Sequence, residues 1–271
     1  MTTAASTPPA SALPALAALF RREIVRFLRQ PSRIVAAIGT AALLWIVLGS
    51  GFAGSFQMAP AAETANTTPG AAAVSYSAYL VPGMAAMVVL FASIVAAISL
   101  IDDRHAGFLQ GVLVSPAPAW AMVGAKVGGC AVLALAQGML VLVAAPLAGV
   151  TLTPMGLLLA AAALACIALG IAGLGLALAW WIDSVQGFHG VMNLVLMPMW
   201  LLSGAFFPVE SAAGWLGWVM RLNPLTWPTE ALRSALLSGG PGAPAAWLGA
   251  IAFAAAGAAL PWLVIRRASG Q

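Results

Sequence analysis

Long apolar runs dominate the chain, and short polar segments separate them. A membrane-spanning helix needs about 20 mostly apolar residues, and runs of this length recur along the sequence. We predict six spans, at residues 34–56, 79–101, 120–150, 155–182, 188–207 and 246–265. The third and fourth exceed the thickness of the hydrocarbon layer, so they should tilt or bend, and Pro146 is a candidate for a bend. The pattern predicts an all-α integral membrane protein with six transmembrane helices.

An amphipathic helix is predicted at residues 15–30, before the first span. One side carries apolar residues at helical spacing, namely Leu16, Phe20, Ile24 and Phe27. The other side carries arginines at the same spacing, namely Arg22, Arg26, Arg29 and Arg33. We expect an interfacial helix whose apolar side meets lipid and whose arginines face headgroups and cytosol; a solvated basic helix is the alternative. Residues 1–14 are predicted to be a disordered tail, and residues 31–271 to form the transmembrane domain.

Composition supports a membrane location. The mean hydropathy is +1.01 and only 7% of the residues are charged, whereas soluble domains have roughly a quarter. Uninterrupted apolar runs favour helices over a membrane β-barrel, whose strands alternate. Nothing indicates a nucleic-acid partner, while membrane lipid is an expected one.

The distribution of Lys and Arg predicts the orientation. One face of the predicted topology carries Arg21, Arg22, Arg26, Arg29, Arg33, Arg104, Lys126, Arg266 and Arg267. The other face carries only Arg221 and Arg233. Because basic residues near span ends remain in the cytoplasm, both termini are predicted to be cytoplasmic, as an even number of spans requires.

The polar stretch "DDRHAGFLQGVLVSP" at residues 102–116 then becomes the first cytoplasmic loop. We predict a short helix that starts at Asp102 and Asp103, where acidic side chains favour the positive end of the helix dipole. Its apolar stripe consists of Phe108, Leu109, Val112 and Leu113. Such a stripe could lie on lipid or in a protein groove. The nearly balanced charge of the loop favours a protein partner.

This loop resembles that of ABC-2 type transporter permeases, which tends to read D-R-E-x-G-T-L-E-x-L-L-V-x-P before a helix starting with G-K. The matching residues are Asp103, Arg104, Gly107, Leu109, Leu113, Val114, Pro116 and Lys126, while His105 and Gln110 replace glutamates. The resemblance implies a coupling helix that docks on a separate ATP-binding subunit. Its expected contact residues are Asp103, Arg104, Gly107, Phe108, Leu109, Val112, Leu113 and Pro116.

Two further motifs resemble the same family: "LSGAFFPVE" at residues 202–210 and "LNPLTWPTEALRSALLSGG" at residues 222–240. The tryptophan-rich segment 208–244 is predicted to re-enter the outer membrane boundary as a helix that starts at Asn223-Pro224 or at Trp227-Pro228. Glu230 and Arg233 would face each other on it. In the family this element closes the substrate path, which makes Asn223, Pro224, Glu230 and Arg233 candidates for an outer gate. The alternative is that the ion pair only stabilises the turn.

The sequence contains no G-x-x-x-x-G-K-[ST] motif, so we expect no ATPase activity, no catalytic residue and no metal site in this chain. ATP and Mg²⁺ would be bound by the partner. The resemblance implies the permease subunit of an exporter of drug-resistance or nodulation type, in the bacterial cytoplasmic (inner) membrane. It would dimerise with a second permease copy and move an amphipathic or lipophilic substrate. An ion-coupled secondary transporter and a non-transporting membrane scaffold remain alternatives, although ionisable residues are scarce within the spans.

Overall fold

The computed structural model describes residues 12–52, 57–58, 74–107, 119–182 and 184–269. Six of its helices are long and apolar enough to cross a membrane, as predicted. These are α2 (Pro31–Gly51), α3 (Tyr76–His105), α4 (Ala119–Leu142), α5 (Pro154–Trp181), α6 (Val185–Ala205) and α9 (Pro244–Ser269). Three shorter helices are α1 (Ala12–Leu28), α7 (Gly214–Leu222) and α8 (Thr226–Leu237). Strands β1 (Gln57–Met58) and β2 (Val74–Ser75) form a short antiparallel pair.

Helix α3 is the centre of the bundle. It packs against α2, α4 and α5, and most of its side chains are buried. Its 30 residues correspond to a length of about 45 Å, which exceeds the hydrocarbon thickness of about 30 Å. At least one end of α3 therefore extends into the headgroup layer.

Glycines allow α5 and α9 to cross closely. A methyl group added to Gly173 would overlap the backbone of Gly257, and one added to Gly170 would overlap the Phe253 ring. Small residues permit such backbone approach where lipid provides little hydrophobic drive for helix association. The glycine-rich stretch of α5 is therefore a packing surface.

The third predicted span is too long in the sequence-based assignment. Helix α4 ends at Leu142, and a 3-10 turn at Ala145–Ala148 follows it. Pro146 cannot donate a backbone hydrogen bond to a continuing helix, and Gly149 closes the turn at φ 83°. The bend expected near Pro146 is thus the end of the helix.

Helix α1 packs against α4 through its apolar side. The positions of Gly124 and Gly128 on α4 lie next to the Leu16 and Phe20 side chains, and Phe27 is buried. The expectation that this side meets lipid is corrected for these residues, because they cover α4. Helix α1 starts at Ala12 and includes the last residues of the predicted tail; residues 1–11 lie outside the described part.

The segment after α6 forms two short helices, α7 and α8. Sequence reasoning offered helix starts at Asn223-Pro224 and at Trp227-Pro228. The first pair instead forms the turn between the two helices, and α8 begins at Thr226, next to the second pair. Asn223 Oδ1 accepts a hydrogen bond from the Leu225 backbone N–H at 3.0 Å, which closes the turn. Gly239 follows α8 at φ 67°.

Candidate functional site

A buried network of charged side chains joins α1, α3 and α4. Its centre is Lys126 on α4, whose Nζ lies 2.7 Å from Glu23 Oε1 on α1 and 2.5 Å from Asp103 Oδ2 on α3. Glu23, Asp103 and Lys126 are each at most 6% exposed. A buried charge is tolerated only when it is paired and hydrogen-bonded, and here each of the three contacts a charge of opposite sign.

Two arginines of α1 complete the shell around Asp103. Arg22 donates to both carboxylate oxygens, at 2.9 Å and 3.2 Å, and Arg26 donates to Oδ1 at 2.7 Å. The two-pronged Arg22 contact combines charge with fixed geometry. Its hydrogen bond to Asp103 raises the pKa of Arg22 above the ordinary value. Asp103 therefore contacts three cationic side chains from two helices.

The acidic pair does not start a helix, which corrects the sequence-based assignment. Asp102 and Asp103 lie in the last turn of α3, which continues to His105. Acidic side chains at this end of a helix are unfavourable because the dipole is negative there. Arg22, Arg26 and Lys126 compensate for that disadvantage, and a prediction based on one segment could not include them.

Sequence reasoning missed Glu23 and misplaced its partners. Lys126 was assigned to the cytoplasmic face, and the arginines of α1 were expected to face headgroups and cytosol. Instead Lys126 is buried, and Arg22 and Arg26 turn towards Asp103. The available signal was Glu23, the one acidic residue of the arginine-rich helix α1, together with Lys126, the one Lys within an apolar run, since a Lys in an apolar run needs an acidic partner.

The two ends of the predicted coupling loop are held together by this network. Asp103 lies in the last turn of α3, before residues 108–118, and Lys126 lies two turns into the helix that follows them. Arg104 donates to the Trp180 carbonyl oxygen at 3.1 Å and lies over the Trp180 ring, which connects α3 with α5. Gly107 leaves α3 at φ 72°, a backbone conformation that favours glycine.

The remaining predicted coupling residues lie outside the described residues. They are Phe108, Leu109, Val112, Leu113 and Pro116. The described segments on either side of them, the end of α3 and the start of α4, are joined to each other and to Glu23 of α1 by the contacts of Lys126.

A second polar cluster lies at the other end of α3, around Arg233 of α8. Its guanidinium donates to the Gly204 carbonyl oxygen on α6 at 2.5 Å and to Glu230 at 2.8 Å. Its central carbon lies 4.2 Å from the centre of the Tyr79 ring of α3. The Tyr79 hydroxyl donates to the same Gly204 oxygen at 2.8 Å. Arg233 thus connects α3, α6 and α8.

An irregular stretch of α6 presents the Gly204 carbonyl to these donors. The helix widens into π-turns at Met192–Leu196 and Leu201–Ala205, and Gly204 leaves helical geometry at φ 80°. Such turns are frequent at functional sites. Gly204 lies in the last turn of α6 and Pro208, four residues on, has no backbone N–H, so this carbonyl has no α-helical partner and accepts from Arg233 and Tyr79.

Of the predicted gate residues, Arg233 contacts the break directly and Glu230 contacts Arg233, while Asn223 and Pro224 lie in the turn beside it. Asn223 donates through its side-chain nitrogen to the Met199 carbonyl oxygen of α6 at 2.6 Å, and Pro224 lies in the following turn. Glu230 is half exposed, whereas the Arg233 side chain is 10% exposed. The predicted Glu230–Arg233 contact is present, and the structure adds Tyr79 and Gly204 as partners that sequence spacing could not identify.

Comparison with known proteins matches the ABC-2 type transporter family over residues 14–237. The chain belongs to this family. It is 26% identical over 217 residues to a protein of Cyanophora paradoxa named "Putative transport permease ycf38", which covers 79% of this chain and 71% of the relative. A protein of the same name from Porphyra purpurea is 26% identical over 219 residues, covering 80% and 72%. The chain is therefore a multi-pass membrane protein of the transport permease class, and its family implies pairing with an ATP-binding subunit.

Proposed function

We propose that this chain is the membrane-spanning subunit of an ATP-driven exporter, with ATP and Mg²⁺ bound by a separate subunit. The observation that carries the proposal is the network around Lys126. It fixes both flanks of the loop at residues 108–118 to one another and to α1. A loop held at both ends can pass a force from a docked partner to the spans.

Helix α3 is the element that would transmit the motion. Asp103 and Tyr79 are 24 positions apart on it, which corresponds to about 36 Å. One end is held by the charged network and the other contacts Arg233. Closure of the ATP-binding subunits would displace the loop, tilt α3 and change its contact with Arg233. The two access states would differ in these contacts, as a population shift requires.

Under this proposal the cluster of Tyr79, Gly204, Glu230 and Arg233 is the outer gate, with Asn223 and Pro224 shaping the turn beside it. Arg233 is central to the proposed gate because it joins its own helix, α8, to α3 and α6. The half-exposed Glu230 can exchange its partner for water as the gate opens.

The proposal also includes the orientation of the chain, its cellular location, its assembly and its cargo. Both termini face the cytoplasm of a bacterium, the protein resides in the cytoplasmic membrane, and two permease copies enclose the path. The cargo is amphipathic or lipophilic, since the spans carry few ionisable groups that would select ions. Competition transport assays in which only ions or sugars are accepted would contradict this cargo class.

The test is co-purification with the candidate ATP-binding subunit. Wild type is compared with a Leu109→Asp, Leu113→Asp double variant, which places charge on the predicted stripe. Gln110→Asp is the matched control, because it adds charge to the same loop off the stripe. We expect wild type and control to retain the partner and its ATP turnover in lipid, and the double variant to lose both.

Other outcomes favour the alternatives. Transport on an ion gradient alone, with the double variant unaffected, indicates a secondary transporter. Partner binding without substrate-stimulated ATP hydrolysis indicates a scaffold.

A further inference from the structure

We propose that the cleft between α1, α3, α4 and the start of α2 is a binding site for one anionic phospholipid. Its lining includes the polar side chains of Arg26, Gln30 and Arg33, the paired Glu23, and an apolar wall of Phe27, Val95 and Leu133. Cationic groups beside an apolar wall match a phosphate headgroup and its acyl chain. The inference requires only that the chain is a membrane protein and does not rest on the proposed coupling to ATP.

The cleft lies at the level of the headgroups. Arg33 is the third residue of α2, whose 21 residues correspond to about 31 Å, close to the hydrocarbon thickness of about 30 Å. Arg33 is therefore at the boundary of the membrane. Ser99 of α3 also lines the cleft, and its carbonyl oxygen accepts a hydrogen bond from the Arg26 guanidinium. This part of α3 therefore lies at the same membrane depth as the headgroups.

The balance of charge favours an anionic occupant. The buried acids Glu23 and Asp103 are already paired with Lys126 and with the arginines of α1. Among the described residues, the exposed side chains of Arg29 and Arg33 form no ion pair with Glu23 or Asp103. This surplus of positive charge beside a membrane attracts anionic lipids, and a phosphate can accept from Arg33 and Gln30 together.

The apolar wall favours a lipid over a free phosphate compound. Phe27 and Leu133 are less than 10% exposed, and Val95 is half-buried at the side of the cleft. An acyl chain lying along Val95 removes apolar surface from water, whereas a soluble phosphate gains nothing from that contact. A bound lipid would also restrict the motion of Arg26 and Ser99. Both residues connect the lipid to the network around Lys126.

Native mass spectrometry of the purified full chain in detergent tests the site. Phosphatidylglycerol and phosphatidylcholine of identical acyl chains are titrated separately. We expect wild type to retain one phosphatidylglycerol at several-fold higher affinity than phosphatidylcholine. Arg33→Gln should weaken phosphatidylglycerol binding about fivefold, while Arg33→Lys should retain most of it. Val95→Phe should weaken it by occupying the acyl wall with no change of charge.

Arg221→Gln is the matched control, since it removes one exposed arginine outside the cleft. Equal binding of the two lipids by wild type would overturn the proposal, as would equal losses in Arg33→Gln and Arg221→Gln. Displacement of the lipid by equimolar glycerol phosphate would also overturn it, because the acyl chain would then contribute nothing. If Arg33→Gln does not elute from the purification column as wild type does, that variant is misfolded. The lipid preference of wild type and the binding of Val95→Phe then decide whether the proposal stands.

Discussion

Lys126 Nζ lies 2.5 Å from Asp103 Oδ2, and this contact joins α4 to the end of α3 across the loop between them. The same ammonium contacts Glu23 of α1 at 2.7 Å. Three helices therefore share one buried ionic centre. The family is that of transport permeases, and this centre is the observation on which the proposed coupling through the loop rests.

Asp103→Asn should destabilise the chain far more than Asp102→Asn. Asp103 is 4% exposed and accepts from three cations, so its loss leaves buried charge without a partner and costs about 3–5 kcal/mol. The Asp102 side chain is 44% exposed and has one contact at 3.5 Å, which predicts a loss below about 1 kcal/mol. Thermal unfolding in detergent measures both. Equal losses would contradict a buried network.

The Lys126–Glu23 contact should be detectable as an energetic coupling. We propose a double-mutant cycle with Lys126→Met and Glu23→Gln, because both variants keep the side-chain length while removing charge. The double variant should be more stable than the sum of the single losses predicts, by about 0.5–3 kcal/mol. Urea unfolding of the three variants provides the values. Strict additivity would show that the two side chains act independently.

The spans could be predicted from the sequence because each depends on a local property, the length of an apolar run. The charged network could not, because its members come from three helices and none of them has its partners within its own segment. The assignment ended the second span at Ile101, where charge begins, whereas α3 continues for another turn. Neutralisation by Arg22, Arg26 and Lys126 makes that extension possible.

Sequence reasoning could predict one contact of the outer cluster but not the others. The spacing of Glu230 and Arg233 predicted their contact, since residues three apart on a helix share a face. The contacts of Arg233 with Tyr79 and Gly204 join α8 to α3 and α6, and no periodic pattern within one segment reveals such partners.

Gly173→Ala should weaken the crossing of α5 and α9, whereas Gly39→Ala should not affect packing. An added methyl group at Gly173 meets the Gly257 carbonyl, while the position of Gly39 is open. Overpacking should cost about 1–3 kcal/mol at Gly173, and Gly39→Ala should be neutral or stabilising by up to about 1 kcal/mol. Differential scanning calorimetry of the two variants in the same detergent checks this. Equal unfolding midpoints of the two variants would contradict the close crossing of α5 and α9.

Arg233→Gln should be more damaging than Glu230→Gln. The guanidinium donates to the Gly204 carbonyl oxygen, a charged hydrogen bond whose loss costs about 1.5–3 kcal/mol. The Glu230 side chain is 49% exposed, so its charge contributes less than about 1 kcal/mol. Unfolding midpoints measure stability, and vesicle transport at matched ATP turnover measures gating. A larger effect of Glu230→Gln on both would assign the central role to the carboxylate instead.

The most direct test of the central claim is site-specific crosslinking between the loop and the ATP-binding subunit. In a Cys130→Ala, Cys166→Ala background, which removes both free cysteines, a Leu109→Cys variant is treated with a short thiol-to-amine crosslinker. Trp215→Cys, at an exposed position of α7, is the control. We predict a crosslink to the ATP-binding subunit from position 109 that changes with ATP and Mg²⁺, and none from position 215. Crosslinking from position 215 alone, or from neither position, would contradict coupling through this loop.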